Sequence, residues 1–120
     1  MISHLTNLPK KTSKHMDYTS LGLGPAPSLI TAVHVSRWGT DVRVVCSYDP
    51  QNSRRPYELH FHDCRRIQWD VHDAEGAEDE SAELIGLLLG QGGDGAPAIL
   101  TTDIFELQIS YGSFHLRKGW

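Results

Sequence analysis

Residues 57–73 read YELHFHDCRRIQWDVHD, two runs in which polar and apolar side chains alternate on either side of Asp63-Cys64-Arg65-Arg66. Side chains of a strand point to opposite faces with period two, so Tyr57, Leu59 and Phe61 share one face and Glu58, His60 and His62 the other. Past the interruption Ile67, Trp69 and Val71 form the apolar set, and Gln68, Asp70 and His72 the polar one. Two half-buried strands read this way. The spacing predicts a hairpin with Phe61 opposite Trp69 and Leu59 opposite Val71. On its polar face His62 would meet Gln68, His60 would meet Asp70, and Glu58 would meet His72. A register displaced by two residues would instead oppose Glu58 and Asp70, an unfavourable like-charge pair.

The same logic extends outward. Phe105, Leu107 and Ile109 alternate with Glu106 and Gln108, and Phe114 and Leu116 resume the pattern after Tyr111-Gly112. This predicts a second hairpin, with Ile109 facing Phe114, Leu107 facing Leu116 and Glu106 facing Arg117. Upstream, Val33 and Val35, then Val42, Val44, Cys46 and Tyr48, flank the turn Trp38-Gly39-Thr40-Asp41. A two-residue Gly39-Thr40 loop would set Val35 opposite Val44 and Val33 opposite Cys46. The run Leu84–Leu89 suits a helix by the acids before it and Gly90 after it, but Gly86 weakens so short a helix and the neighbours are strands, so a buried strand is expected. Ala98 to Thr102 begins a further strand.

Together these elements predict a mainly β fold, with α+β as the alternative: an antiparallel meander of about seven strands forming a sandwich or open half-barrel. The 120 residues suffice for one domain. Residues 1–28, rich in Pro, Gly, Ser, Thr and Lys, read as a flexible leader, and residues 29–120 as the β-rich domain. Within the leader Met16 is a candidate start.

The net charge of −4 conceals an asymmetry, because residues 1–15 carry Lys10, Lys11 and Lys14 and no acid. Asp70, Asp73, Glu75, Glu78, Asp79, Glu80 and Glu83 then fall in one stretch without Lys or Arg. Phosphate recognition rests on clustered cations, so nucleic acid is an unsuitable partner. Two cysteines without a CxxC pair suggest reduced thiols. No segment has the order of a signal peptide or the length of a transmembrane helix, and a cytoplasmic location is expected.

Three kinds of chemistry are compatible with these residues. His60 and His62 on one strand face, with Glu58 and a further ligand from His72 or Asp70, would suit a divalent transition metal. The cupin pattern is incomplete here: residues 63–67 hold no Glu, and the later strand at 98–109 holds no His. The plain alternative is an exposed face of paired charges. Cys64 beside Asp63, His60 and His62 has the residue types of a nucleophilic site, although a turn cysteine reads the same way. Ser113 and His115 merely share a polar face. Gly22-Leu23-Gly24-Pro25 lacks the Lys of a phosphate loop. Finally, Trp69 with Glu78, Asp79 and Glu80 would form a partner-binding surface for a basic protein, the alternative being a solvated acidic loop.

The motifs YELHFHDCRRIQW and TDIFELQISYGSFHL, within Tyr57 to Trp120, resemble small bacterial β proteins that include immunity proteins paired with polymorphic toxins. The resemblance implies a non-enzymatic module without a cofactor that binds and blocks a partner. Self-association is a further expectation.

Overall fold

In the computed structural model, which describes residues 17–93 and 95–120, eight antiparallel strands form one open sheet. The strands are β1 (Ser28–Ser36), β2 (Asp41–Tyr48), β3 (Arg55–His62), β4 (Arg66–Val71), β5 (Ala82–Leu88), β6 (Ala98–Thr102), β7 (Phe105–Ser110) and β8 (Ser113–Lys118). Their order across the sheet is β4-β7-β6-β5-β1-β2-β3-β8. The mainly β expectation is met. Residues 1–16, and with them Met16, lie outside the described residues.

The alternation assigns faces correctly, but two of the three predicted hairpins, the central and the C-terminal, are absent. β3 pairs with β2 and β8, so Phe61 faces Val42 and Phe114 rather than Trp69. β4 pairs with β7, which sets Trp69 opposite Leu107 and Ile67 opposite Ile109. Thus β3–β4 and β7–β8 are two long strands that run antiparallel to each other, matched at His62↔Ser113 before a common bend and at Arg66↔Ser110 after it. At the bend Arg65 N–H donates to Ser110 O (2.8 Å) and Gly112 N–H to His62 O (2.8 Å), so the bent ribbon keeps its ladder. A Cβ on Gly112 would lie 2.8 Å from that of Asp63, a spacing that only glycine allows. Cys64 turns inward at the corner and is buried.

The upstream hairpin, β1–β2, forms with a different register. Residues 37–40 all belong to the loop, with Arg37 and Trp38 at φ 52° and 62°, and Ser36 pairs with Asp41. Val33 therefore faces Val44 and Val35 faces Val42. The slip is by two residues, an even number, so every side chain keeps its face. Leu84–Leu88 is strand, as expected, and Leu89 lies just past its end. Ala82 and Leu84 point inward, and the register shift between Leu84 and Gly86 leaves Ile85 as the extra residue of a bulge, after which Gly86 and Leu87 resume the pairing.

The bent ribbon divides the sheet into β8-β3-β2-β1 and β5-β6-β7-β4, which pair again at Leu29↔Glu83 and Ile30↔Ala82. One apolar cluster joins the halves: Val42, Val44, Leu59 and Phe61 from one, Leu87, Leu100, Leu107 and Ile109 from the other, all fully buried. Residues 17–27 join this core from outside it. Leu21 is buried, the Tyr18 hydroxyl donates to Ala26 O (2.8 Å), and Asp17 Oδ2 accepts from Leu89 N–H (2.9 Å). Buried Ser28 is satisfied by the Tyr57 hydroxyl at 2.8 Å. No helix among the described residues is long and apolar enough to cross a membrane.

Candidate metal centre

The outer face of the β2-β3-β8 region carries the polar side chains that its alternation excludes from the core. Across it Arg43, His60 and His115 form one row, and Asp41, His62 and Ser113 the next. Because β8 is the neighbour of β3, His115 stands beside the His-x-His pair, and ligand nitrogens of His60, His62 and His115 all lie within 4.8 Å of one another. The rings of His62 and His115 stack at 4.9 Å, and His115 lies 4.9 Å from the His60 ring.

Two carboxylates hold the far sides of these rings. Glu58 Oε1 lies 2.9 Å from His60 Nε2, and Asp41 Oδ1 lies 3.4 Å from His62 Nδ1. With His62 Nδ1–H turned to Asp41, His62 Nε2 presents a lone pair and accepts from His115 Nδ1–H at 3.2 Å. With His60 Nε2–H donating to Glu58, His60 Nδ1 is the free ligand atom. Asp41 Oδ1 is buried and has no full hydrogen bond among the described residues, an arrangement that costs free energy unless the facing donor is strengthened.

The electrostatics favour His115 as a neutral ligand. His115 is held below the ordinary histidine value, first by loss of hydration and then by His60, His62 and Arg117. Glu58 is held below the usual carboxylate range, chiefly by its hydrogen bond from His60 and further by Arg43, whose Nη1 lies 3.9 Å away.

No protein-family model matches the chain, and no curated protein matches it.

The expected ligands redistribute once strand partners are known. Glu58 sits on His60 rather than opposite His72, and Asp70 faces Glu106 across β4–β7 rather than His60. His72 is outside the cluster, with its Nε2 3.2 Å from Thr102 O. His62, expected opposite Gln68, lies between Asp41 and Ser113. Local spacing does not mark His115 as a ligand or Asp41 as an orienting group; the β2-β3-β8 adjacency brings them to the site.

Cys64 is no activated nucleophile. Its Sγ donates to Phe61 O at 3.5 Å, and burial, then the Asp41 charge, push the thiol up to about 11. Burial likewise raises Cys46 to about 12. The thiolate is the reactive form, so at pH 8 both cysteines of the native protein should resist a disulfide reagent and react together only in denaturant. Immediate labelling of one thiol in the folded protein would contradict this.

Trp69, Asp79 and Glu80 converge with Val33, Val71 and Phe105 on one groove at the open end between the half-sheets. Glu78 lies on the short turn Gly76–Glu78 and does not line that groove.

Proposed function

We propose that the protein binds one divalent transition-metal ion through His60, His62 and His115. The observation that carries this reading is the pair of carboxylates behind the ring nitrogens, with Asp41 Oδ1 buried and incompletely satisfied 3.4 Å from His62 Nδ1. Metal-bound histidines donate their second N–H to such carboxylates, which fix ring orientation and raise basicity. In a tetrahedral zinc site with Zn–N of about 2.0–2.1 Å, ligand nitrogens stand about 3.3 Å apart. His62 Nε2 and His115 Nδ1 already stand 3.2 Å apart, so binding requires His115 to move its proton from Nδ1 to Nε2 and His60 to rotate toward the pair. Imidazole ligands suit zinc, copper and nickel. Three protein ligands leave a fourth position for water or a ligand from another molecule.

Blocking of a basic partner, implied by the resemblance, draws its support from the groove where Trp69, Asp79 and Glu80 meet. It ranks second, since no comparable set of oriented groups backs it.

The test is titration of tag-free, metal-stripped protein with zinc against a chromophoric chelator. One ion per chain is expected to leave the chelator. Zinc retained wholly by a chelator of micromolar affinity would defeat the reading.

A further inference from the structure

Strand β4 lies at one end of the sheet order, so one of its edges is unpaired. Edge strands are templates for further pairing, and native proteins usually blunt them with charge. Here the charges have a particular order. Arg66-Ile67-Gln68-Trp69-Asp70 reads basic, apolar, neutral, apolar, acidic. Set against itself antiparallel about Gln68, it places Arg66 opposite Asp70 of a second copy and Ile67 opposite Trp69 of that copy, then repeats both pairs by two-fold symmetry. The charged pairs share the outer face and the apolar pairs the inner one, as the pleat requires.

Two features of the isolated chain favour this occupant. Trp69 and Val71 are 44% and 56% exposed although their strand neighbours Leu107 and Phe105 belong to or pack on the core. Asp70 lies directly opposite Glu106 on β7, an unfavourable like-charge pair. Among the described residues neither Arg66 nor Asp70 has an ion-pair partner, so an arginine from beyond the edge would offset the acid pair. The other sheet edge lacks this complementarity: β8, SFHLRK, has Arg117 and Lys118 and no acid, so two copies of it can form no opposite-charge pair.

We infer that the protein forms a two-fold dimer by β4-to-β4 pairing, which joins the two eight-stranded sheets into one. A symmetric pairing of this kind closes at two copies.

The experiment is sedimentation of the full chain over a range of concentrations in a chelating buffer, so that metal-bridged association does not contribute. A reversible species of twice 13.4 kDa is expected. Asp70→Arg alone or Arg66→Asp alone opposes like charges and should weaken association about tenfold or more. The combined Arg66→Asp/Asp70→Arg chain exchanges the charges and should restore it, which excludes misfolding as the cause of the single-variant loss. A wild-type monomer at every concentration, a dimer that both single variants leave unchanged, or open-ended polymers of the kind that β4-to-β8 pairing would build would each overturn the inference.

Discussion

Phe61→Ala should lower unfolding stability by about 3–5 kcal/mol, the largest loss expected from any single truncation of this core. Phe61 has no exposed surface, and its ring packs between those of Tyr111 (5.1 Å) and Phe114 (5.0 Å). It also stands where β3 is held on both sides, by Val42 of β2 and Phe114 of β8. Collapse around the missing ring is restricted because the ladder runs unbroken into the bend at Gly112. A domain of this size has about 5–15 kcal/mol in total, so the variant should approach the margin of folding. Urea titration measures this, with the slope m unchanged if only stability is altered. Trp69→Ala, which empties a half-exposed site on the edge strand, should cost distinctly less. Equal losses, as a β3–β4 hairpin pairing Phe61 with Trp69 would produce, would speak against the bent ribbon.

His62→Ala should reduce zinc affinity by more than a hundredfold while leaving the urea midpoint close to that of wild type. His62 links the cluster: its Nε2 lies 3.2 Å from His115 Nδ1 and its Nδ1 3.4 Å from Asp41 Oδ1. Removing a direct ligand should exceed the 10–100-fold typical of an outer carboxylate, which is the loss expected for Asp41→Asn. The fold should survive because the ring lies on the solvent face. His72→Ala is the control and should bind zinc as wild type does, since that ring sits beside Thr102 O. Binding should weaken on acidification, because protons compete for the ring nitrogens. Loss of hydration and the neighbouring cations hold His115 below the ordinary histidine value, so its neutral form persists to lower pH than in the unfolded chain and its own competition begins later. Equal zinc affinity in wild type and His62→Ala would place the ion elsewhere.

Which face each residue takes was legible in the alternation of YELHFHD and FELQIS, and the structure keeps those faces. Partners were not legible. A strand that turns back at Asp63 and one that bends there present the same side chains inward, since both preserve the period of two. A local hairpin closes the shorter loop, which favours it in a reading from sequence. Burial of Cys64 and the close approach of Gly112 to Asp63 decide for the bend, and both are tertiary facts. The candidate site follows the same division. His60 and His62 announce themselves by spacing, whereas His115, fifty-three positions from His62 in sequence, joins them only because β8 lies against β3. The strand through Leu84–Leu88 was readable from its neighbours, and Gly86, which counted against a helix, pairs with Thr101 just after the bulge at Ile85.

The most direct measurement of the central claim is X-ray absorption at the zinc edge of the stoichiometrically loaded, tag-free protein. Three imidazole nitrogens at about 2.0–2.1 Å with one water oxygen are expected, falling to two imidazoles in His115→Ala. A shell of six oxygens without imidazole scattering, or a spectrum unchanged in His115→Ala, would contradict a metal centre built from His60, His62 and His115.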